Sequence, residues 1–236
     1  MEVNENLVNE VYALIQERLS PYFGKSEHEL CEEFGLPFDS NAKNRYERYL
    51  SKMVGISGRL SDASFIKGTG VSVKTIRVSQ NGTIKESMSF PYFEYYDIYL
   101  QDWENSQLRK MFAELRYIFV IFKEKKGEMF FEKIKLWRMT KKELETIRPV
   151  FESLKKSIST GNIIDKLVRT PQGKLIRKTT FPSSKSNPIV HVRPHARDAN
   201  DTCPLPVREK TTGEDAYTKH CFWLNSSYLE KVVAED

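Results

Sequence analysis

The chain has 236 residues and a formal net charge of +5, and its 39% hydrophobic and 29% charged residues are typical of a globular protein with a substantial core. No apolar run approaches the roughly 20 residues of a membrane-spanning helix, and the N-terminus lacks the pattern of a secretory signal, so no membrane association is expected. Three cysteines without a Cys-x-x-Cys pair argue against a disulfide framework and indicate a reducing, cytoplasmic location.

The first 60 residues are predicted to be mainly helical. An apolar helical face begins near Leu7 and ends at Pro21. Ser26 and Glu29 have the spacing of a capping box, which predicts the start of a short second helix. A third helix is predicted from about residue 40 to residue 54.

The periodicity then changes to that of a sheet. Residues 71–78 are rich in β-branched side chains and predict a strand, the pair Asn81-Gly82 predicts a tight turn, and residues 84–90 predict the returning strand of a hairpin. An amphipathic helix is expected over residues 106–115.

The middle of the chain contains the most apolar segment. Residues 117–122 predict a fully buried strand that pairs with residues 128–139. Thr140 and Glu143 form a second capping-box signature, and the helix that they open is expected to bend or break at Pro149.

Short strands and loops are expected after residue 163. Strands are predicted at 175–180, 189–192 and 219–224, with a polar loop over 198–217, and Asn225 is expected to cap a last helix. The order of elements fits an α/β or α+β fold with a mixed central sheet flanked by helices. We interpret residues 1–236 as one domain with a helical part (1–60), a sheet core (61–165) and a basic part (166–236).

The charge is concentrated in one tract. Between residues 166 and 197 there is no Asp or Glu, and the tract alone carries +8, so the rest of the chain carries −3. The eight basic residues are Lys166, Arg169, Lys174, Arg177, Lys178, Lys185, Arg193 and Arg197. Such asymmetry favours a polyanionic partner, although a solvated basic surface is the alternative.

The segment from Gly70 to Ile76 resembles the centre of the MutH group of metal-dependent nucleases. The resemblance extends in order over roughly residues 5–233. It is carried by Lys85–Phe90, Trp103, Glu114–Phe119, His191–His195 and Phe222–Asn225. It implies a restriction-endonuclease-like fold and a double-stranded DNA partner.

The family motif is an Asp, six further residues, and Glu-x-Lys, in which the two carboxylates hold a divalent cation that activates water. Lys74 matches the motif lysine, but Ser72 and Phe65 stand at the two acidic positions, and Ser51 stands where an upstream Glu is expected. A three-residue gap would bring Asp62 to the Asp position, but nothing replaces the Glu. The resemblance therefore implies a degenerate site that holds no metal.

The chain is most similar to the C-terminal half of double-domain enzymes that cut at GATC. In those enzymes the N-terminal half cuts and the C-terminal half binds DNA as an effector. The resemblance implies that this chain needs no cofactor of its own, while a catalytic MutH-like domain or partner chain would use Mg²⁺.

Basic and aromatic residues of the C-terminal third are the candidate DNA contacts. The resemblance places Lys219 and His220 near base edges in the major groove, and Arg193 and Arg197 are expected at phosphates. Trp223 either contacts DNA or fills the sheet edge. The full candidate set is Lys174, Arg177, Lys178, Arg193, His195, Arg197, Lys210, Lys219, His220 and Trp223.

Three alternatives remain open from the residues. His191, His195, Cys203 and Cys221 are possible zinc ligands, although Pro194 keeps the two histidines off a helix face. An active magnesium nuclease would need a rearranged carboxylate set, for which the candidates are Asp62, Glu86, Glu94 and Asp97. A basic domain that binds only proteins is the third.

Overall fold

A computed structural model describes residues 3–38, 42, 44–173 and 175–235 of the chain. The helices are α1 (Glu5–Leu19), α2 (Glu27–Phe34), α3 (Arg45–Val54), α4 (Tyr95–Leu100), α5 (Gln107–Glu114), α6 (Lys141–Ser159) and α7 (Ser226–Ala234). The strands are β1 (Val71–Val78), β2 (Met88–Tyr92), β3 (Arg116–Lys125), β4 (Glu128–Trp137), β5 (Ile164–Arg169), β6 (Leu175–Thr179), β7 (Val190–Pro194), β8 (Thr202–Pro204), β9 (Ala216–Thr218) and β10 (His220–Leu224). The expected mixture of helices and sheets is confirmed.

The chain divides into two compact units, each made of separate chain segments. The first unit comprises residues 1–86, 114–139 and 229–236, and contains α1 to α3, β1, β3, β4 and most of α7. The second comprises residues 87–113 and 140–228, and contains the other elements. Within the described ranges, no helix has the length and hydropathy that a bilayer span requires.

The first unit is built around a mixed sheet with the strand order β1-β3-β4. β3 lies in the middle, parallel to β1 and antiparallel to β4, and its residues from Arg116 to Phe122 are all buried. Apolar side chains of α1, α2 and α3 complete this core. The predicted buried strand and its antiparallel partner are confirmed.

The predicted hairpin between residues 71–78 and 84–90 is wrong. The turn at Asn81-Gly82 forms, with the Gly82 amide donating to the Ser79 carbonyl at 2.9 Å, but β1 pairs with β3 in parallel. β2 begins only at Met88 and pairs with β10. The turn was therefore predicted correctly, but the partner strand was not. β1 pairs with the buried strand β3 instead of with the strand that follows the turn.

The second unit is built around an antiparallel sheet with the order β2-β10-β7. α6 begins at its predicted capping box, formed by Thr140 and Glu143, and runs through Pro149 without the expected break. The polar loop predicted over 198–217 contains the paired strands β8 and β9. The strands β5 and β6 form a separate two-stranded ribbon.

We predict that Phe122→Ala destabilises the protein by about 3–5 kcal/mol, because Phe122 is fully buried between the rings of Tyr46 and Phe131. Urea unfolding followed by circular dichroism measures this change. Phe38→Ala is the matched control, since Phe38 is 45% exposed and its loss should cost about 0.5 kcal/mol or less. Equal losses for the two variants would contradict the described core.

Candidate nucleic-acid interface

The middle strand β10 carries two of the candidate DNA contacts, His220 and Trp223. Its register sets Cys221 opposite Arg193 and Trp223 opposite His191 on β7. On the other edge, Cys221 lies opposite Tyr92 of β2. Because paired residues share a sheet face, Arg193, Trp223 and Tyr92 lie on one face, while Phe222 and Leu224 are buried on the other.

A cation and two rings gather around Trp223 on this face. The guanidinium carbon of Arg193 lies 4.7 Å from the centre of the Trp223 ring, within the range of a cation–π interaction. The ring of His195 meets Trp223 edge-on, with 5.8 Å between ring centres. Arg193 and His195 are exposed and Trp223 is half-buried, so the positive charge of Arg193 is held at the surface above the Trp223 ring.

Lys219 lies beside this group and already has a partner. Its ammonium nitrogen is 2.7 Å from Asp201 Oδ1 and 4.6 Å from the centre of the Tyr92 ring. The hydrogen bond to Asp201 raises the pKa of Lys219. The sequence did not single out Tyr92, because only the long-range pairing of β2 with β10 brings it next to this lysine.

His220 does not fit the predicted approach to a base edge. Its side chain is 1% exposed and lies among Phe181, Tyr217 and Tyr95. Its Nδ1 is 2.7 Å from the Thr218 carbonyl oxygen, and Nε2 has no hydrogen-bond partner among the described residues. Burial lowers the pKa of His220 to about 4, against the opposing effect of the Thr218 carbonyl.

A buried polar network supports the same sheet from β7. The Asn225 Oδ1 atom accepts a hydrogen bond from His191 Nδ1 at 2.6 Å, and the Asn225 amide nitrogen donates to the Asn187 carbonyl at 2.7 Å. The Asn187 amide in turn donates to the Thr146 carbonyl of α6 at 2.7 Å. Asn225 directly precedes α7, as predicted, and its side chain also helps to hold β7.

The other candidate cations have different surroundings. Arg177 on β6 makes two hydrogen bonds to Glu214, at 2.6 and 2.8 Å, while Lys178 on the same strand is exposed. Arg197 contacts Asp198 at 3.2 Å. Lys210 is exposed, and its backbone amide donates to the Gly161 carbonyl next to the start of the ribbon. The candidate Lys174 lies outside the described residues.

The residues at the four motif positions belong to the first unit. Ser72 and Lys74 are exposed on the same face of β1, two residues apart. The ring of Phe65 packs against the core, with the Arg18 guanidinium 5.1 Å from its centre. The buried Ser51 hydroxyl donates to the Gly58 carbonyl at 2.7 Å, so this side chain closes a turn.

The open metal alternatives find no ligand set in the described part of the chain, where no three His, Cys, Asp or Glu side chains lie close enough together to hold an ion. His191 is engaged with Asn225, and Cys203 and Cys221 are buried free thiols. Glu86, one of the alternative carboxylates, makes an ion pair with Arg77 at 2.7 Å.

Comparison with known proteins found two similarities. The sequence model of the family described as "DNA mismatch repair enzyme MutH" matches residues 58–149, which include the motif strand β1. The whole chain also aligns with the type II restriction enzyme Sau3AI of Staphylococcus aureus, with 24% identity over 99% of this chain. The chain is therefore similar to the MutH family over residues 58–149 and to Sau3AI over nearly its whole length.

Members of this family have a restriction-endonuclease-like fold, and the α+β class predicted here is confirmed. The chain spans about half the length of the curated relative, since the alignment covers 53% of Sau3AI.

The burial of His220 predicts a specific pH dependence of stability. The pKa in the fold, about 4, is below the ordinary value of 6.5. The unfolded chain therefore binds a proton that the folded chain does not as the pH falls below 6.5. We expect a loss of about 3 kcal/mol between pH 6.5 and pH 4, and none of it above pH 7.

Urea unfolding at a series of pH values measures this loss, and His220→Phe should flatten the profile because it keeps a ring in the same aromatic surroundings. Some dependence of stability on pH should remain in this variant, because burial also lowers the pKa of His191. A variant profile as steep as that of the wild type would contradict the assignment to His220.

Proposed function

We propose that this chain is a domain that binds double-stranded DNA at a GATC-type site and acts as the effector half of a type II restriction enzyme, with no cutting activity of its own. The observation that carries the DNA part is the face around Trp223, where Arg193 and His195 are exposed in a tract without acidic residues. The GATC part rests on the family resemblance alone.

Two properties of the face support phosphate binding. Stacking on Trp223 limits the positions that the Arg193 side chain can adopt, so less conformational entropy is lost when it binds. The planar guanidinium can donate two hydrogen bonds to one phosphate. Lys219, by contrast, must exchange Asp201 for DNA, which makes its net contribution smaller.

The residues at the motif positions support the loss of cutting. A divalent cation needs several oxygen ligands with negative charge, and Ser51, Phe65 and Ser72 provide none. The Ser51 hydroxyl and the Phe65 ring have structural contacts instead. We propose that this domain takes no cofactor, that a catalytic MutH-like domain or chain supplies the Mg²⁺ site, and that the enzyme works in the cytoplasm.

An effector role requires that the DNA-bound form of this domain has a different affinity for its catalytic partner than the free form. A second bound site on the same DNA would then activate cutting at the first. This part of the proposal concerns the whole enzyme, of which this chain corresponds to about half.

Salt-dependent binding tests the DNA part. We expect the affinity for a GATC duplex to fall steeply between about 50 and 200 mM salt, and Arg193→Gln to reduce the slope of log K against log [salt] by about 1. Fluorescence anisotropy with a labelled duplex gives both slopes. Lys231→Gln, at an exposed position of α7, is the control that should leave the slope unchanged.

The same titration with a scrambled duplex tests sequence recognition. A GATC-specific domain should prefer its site by at least about 1,000-fold. Equal affinity for both duplexes would remove the GATC part of the proposal, and the absence of any salt-dependent binding would remove all of it.

Incubation with Mg²⁺ and unmethylated GATC plasmid tests the loss of cutting. We expect no cleavage from a preparation that binds the duplex, because no carboxylate pair accompanies Lys74 on β1. Cleavage that disappears in Lys74→Ala would show an active nuclease and overturn this part. Cleavage that persists in that variant would indicate a contaminating nuclease, which a second purification step removes.

A further inference from the structure

The ribbon of β5 and β6 exposes large apolar side chains that the proposed interface does not use. Leu167 is 43% exposed, Leu175 48% and Ile176 42%. Neither strand pairs with any other described strand, and most residues of both strands are exposed. Exposed apolar side chains on a narrow ribbon are typical of a binding element.

The register distributes charge and apolar surface over both faces. On one face, Lys166 lies opposite Lys178, and Val168 lies opposite Ile176. The ribbon therefore combines cations with side chains that can make apolar contacts, rather than separating them into a core face and a solvent face.

The second face has the same composition. Leu167 lies opposite Arg177, and Arg169 lies opposite Leu175. Of the two arginines, Arg177 is neutralised by Glu214, whereas Arg169 has no ion-pair partner among the described residues.

The pair Lys166–Lys178 is unfavourable for the isolated protein. Like charges directly opposite each other destabilise a two-stranded pair. Among the described residues, neither lysine has an acidic partner that would relieve the repulsion. A polyanion on this face would convert the repulsion into attraction, which favours a nucleic acid over an apolar protein groove as the occupant.

The base of the ribbon is held firmly, which leaves the rest as an arm. The Ile164 amide donates to the buried carboxylate of Glu209 at 3.2 Å, and the Thr180 amide donates to the Ile163 carbonyl at 2.9 Å. Although burial opposes it, hydrogen bonds from the backbone amides of Thr212 and Ile164 hold the pKa of Glu209 below its ordinary value. This carboxylate therefore stays charged near neutral pH and fixes the start of β5.

We propose that the β5–β6 ribbon is an arm that enters the major groove of duplex DNA with the face that carries Lys166 and Lys178. These two lysines lie at the phosphates, and Val168 and Ile176 of the same face lie against thymine methyl groups. Two paired strands lie about 4.8 Å apart, and the major groove, about 12 Å wide, admits such a ribbon. The inference rests on the proposed DNA binding and assigns a groove and a kind of contact to residues outside the Trp223 face.

A thermodynamic cycle tests the arm in the full chain. One partner is the double variant Val168→Ser/Ile176→Ser, and the other is a duplex in which deoxyuridine replaces every thymine, which removes only the methyl groups. We expect the wild type to bind the deoxyuridine duplex about fourfold more weakly for each methyl group contacted. The variant should bind the thymine duplex about tenfold more weakly than the wild type and should not distinguish the two duplexes.

The matched control is Leu7→Ser, which changes a 37% exposed leucine of α1 in the same way. It should keep both the wild-type affinity and the wild-type preference for the thymine duplex. The salt slope of the ribbon double variant should equal that of the wild type, because no charge has been removed.

A second variant keeps the test decisive if the first one unfolds. Lys166→Gln/Lys178→Gln should raise stability slightly, since it removes a like-charge pair, and should lower the salt slope by about 2. Circular dichroism and urea unfolding establish that each variant is folded before binding is measured.

The outcomes separate the arm from the proposed function. If the wild type binds duplex DNA but the ribbon variants bind as it does, or if thymine and deoxyuridine duplexes bind the wild type equally, the groove-entering arm is wrong while the DNA-binding function stands. If the wild type binds no duplex at all, both fall.

Discussion

The alternation of side chains along β10 is the constraint on which the proposed interface depends. Successive residues point to opposite faces, so burial of Phe222 and Leu224 in the core obliges Trp223 to face the other way. The pairing with β7 then places Arg193 on the same face, 4.7 Å from the indole ring. The apolar core of the second unit thereby fixes the position of a surface charge.

The proposed loss of the motif carboxylates and the proposed DNA-binding role of the basic surface are physically independent. The β1 backbone is held by its parallel pairing with β3, and this pairing does not require an acidic residue at 65 or 72. Two carboxylates without a cation between them would repel each other. A serine and a phenylalanine at these positions avoid this destabilising repulsion. The sheet can therefore form without these carboxylates, which is consistent with the proposed non-cutting role.

Features set by neighbouring residues could be predicted from the sequence. Both capping boxes, at Ser26 and Thr140, formed as predicted, as did the buried strand from Tyr117 to Phe122. The two main errors concern contacts between distant residues. The partner of β1 was predicted wrongly, because the turn at Asn81-Gly82 does not determine which strand pairs with β1.

The interface showed the same limit. Its basic character follows from the composition of the tract, but the sequence did not show that His220 points into the core, on the same face of β10 as Phe222 and Leu224. Alternation alone leaves two choices of face, and only the packing of Phe181, Tyr95 and Tyr217 around the imidazole decides between them. The stacking of Lys219 on Tyr92 likewise depends on a pairing over more than 120 residues.

Hydrogen–deuterium exchange of the full chain, with and without a saturating GATC duplex, tests the central claim most directly, because it locates the bound surface without any substitution. The account predicts slower amide exchange in β5, β6, β7 and the segment that leads into β10 when the duplex is bound. Unchanged exchange throughout residues 164–224 in a chain that is saturated with duplex would contradict it.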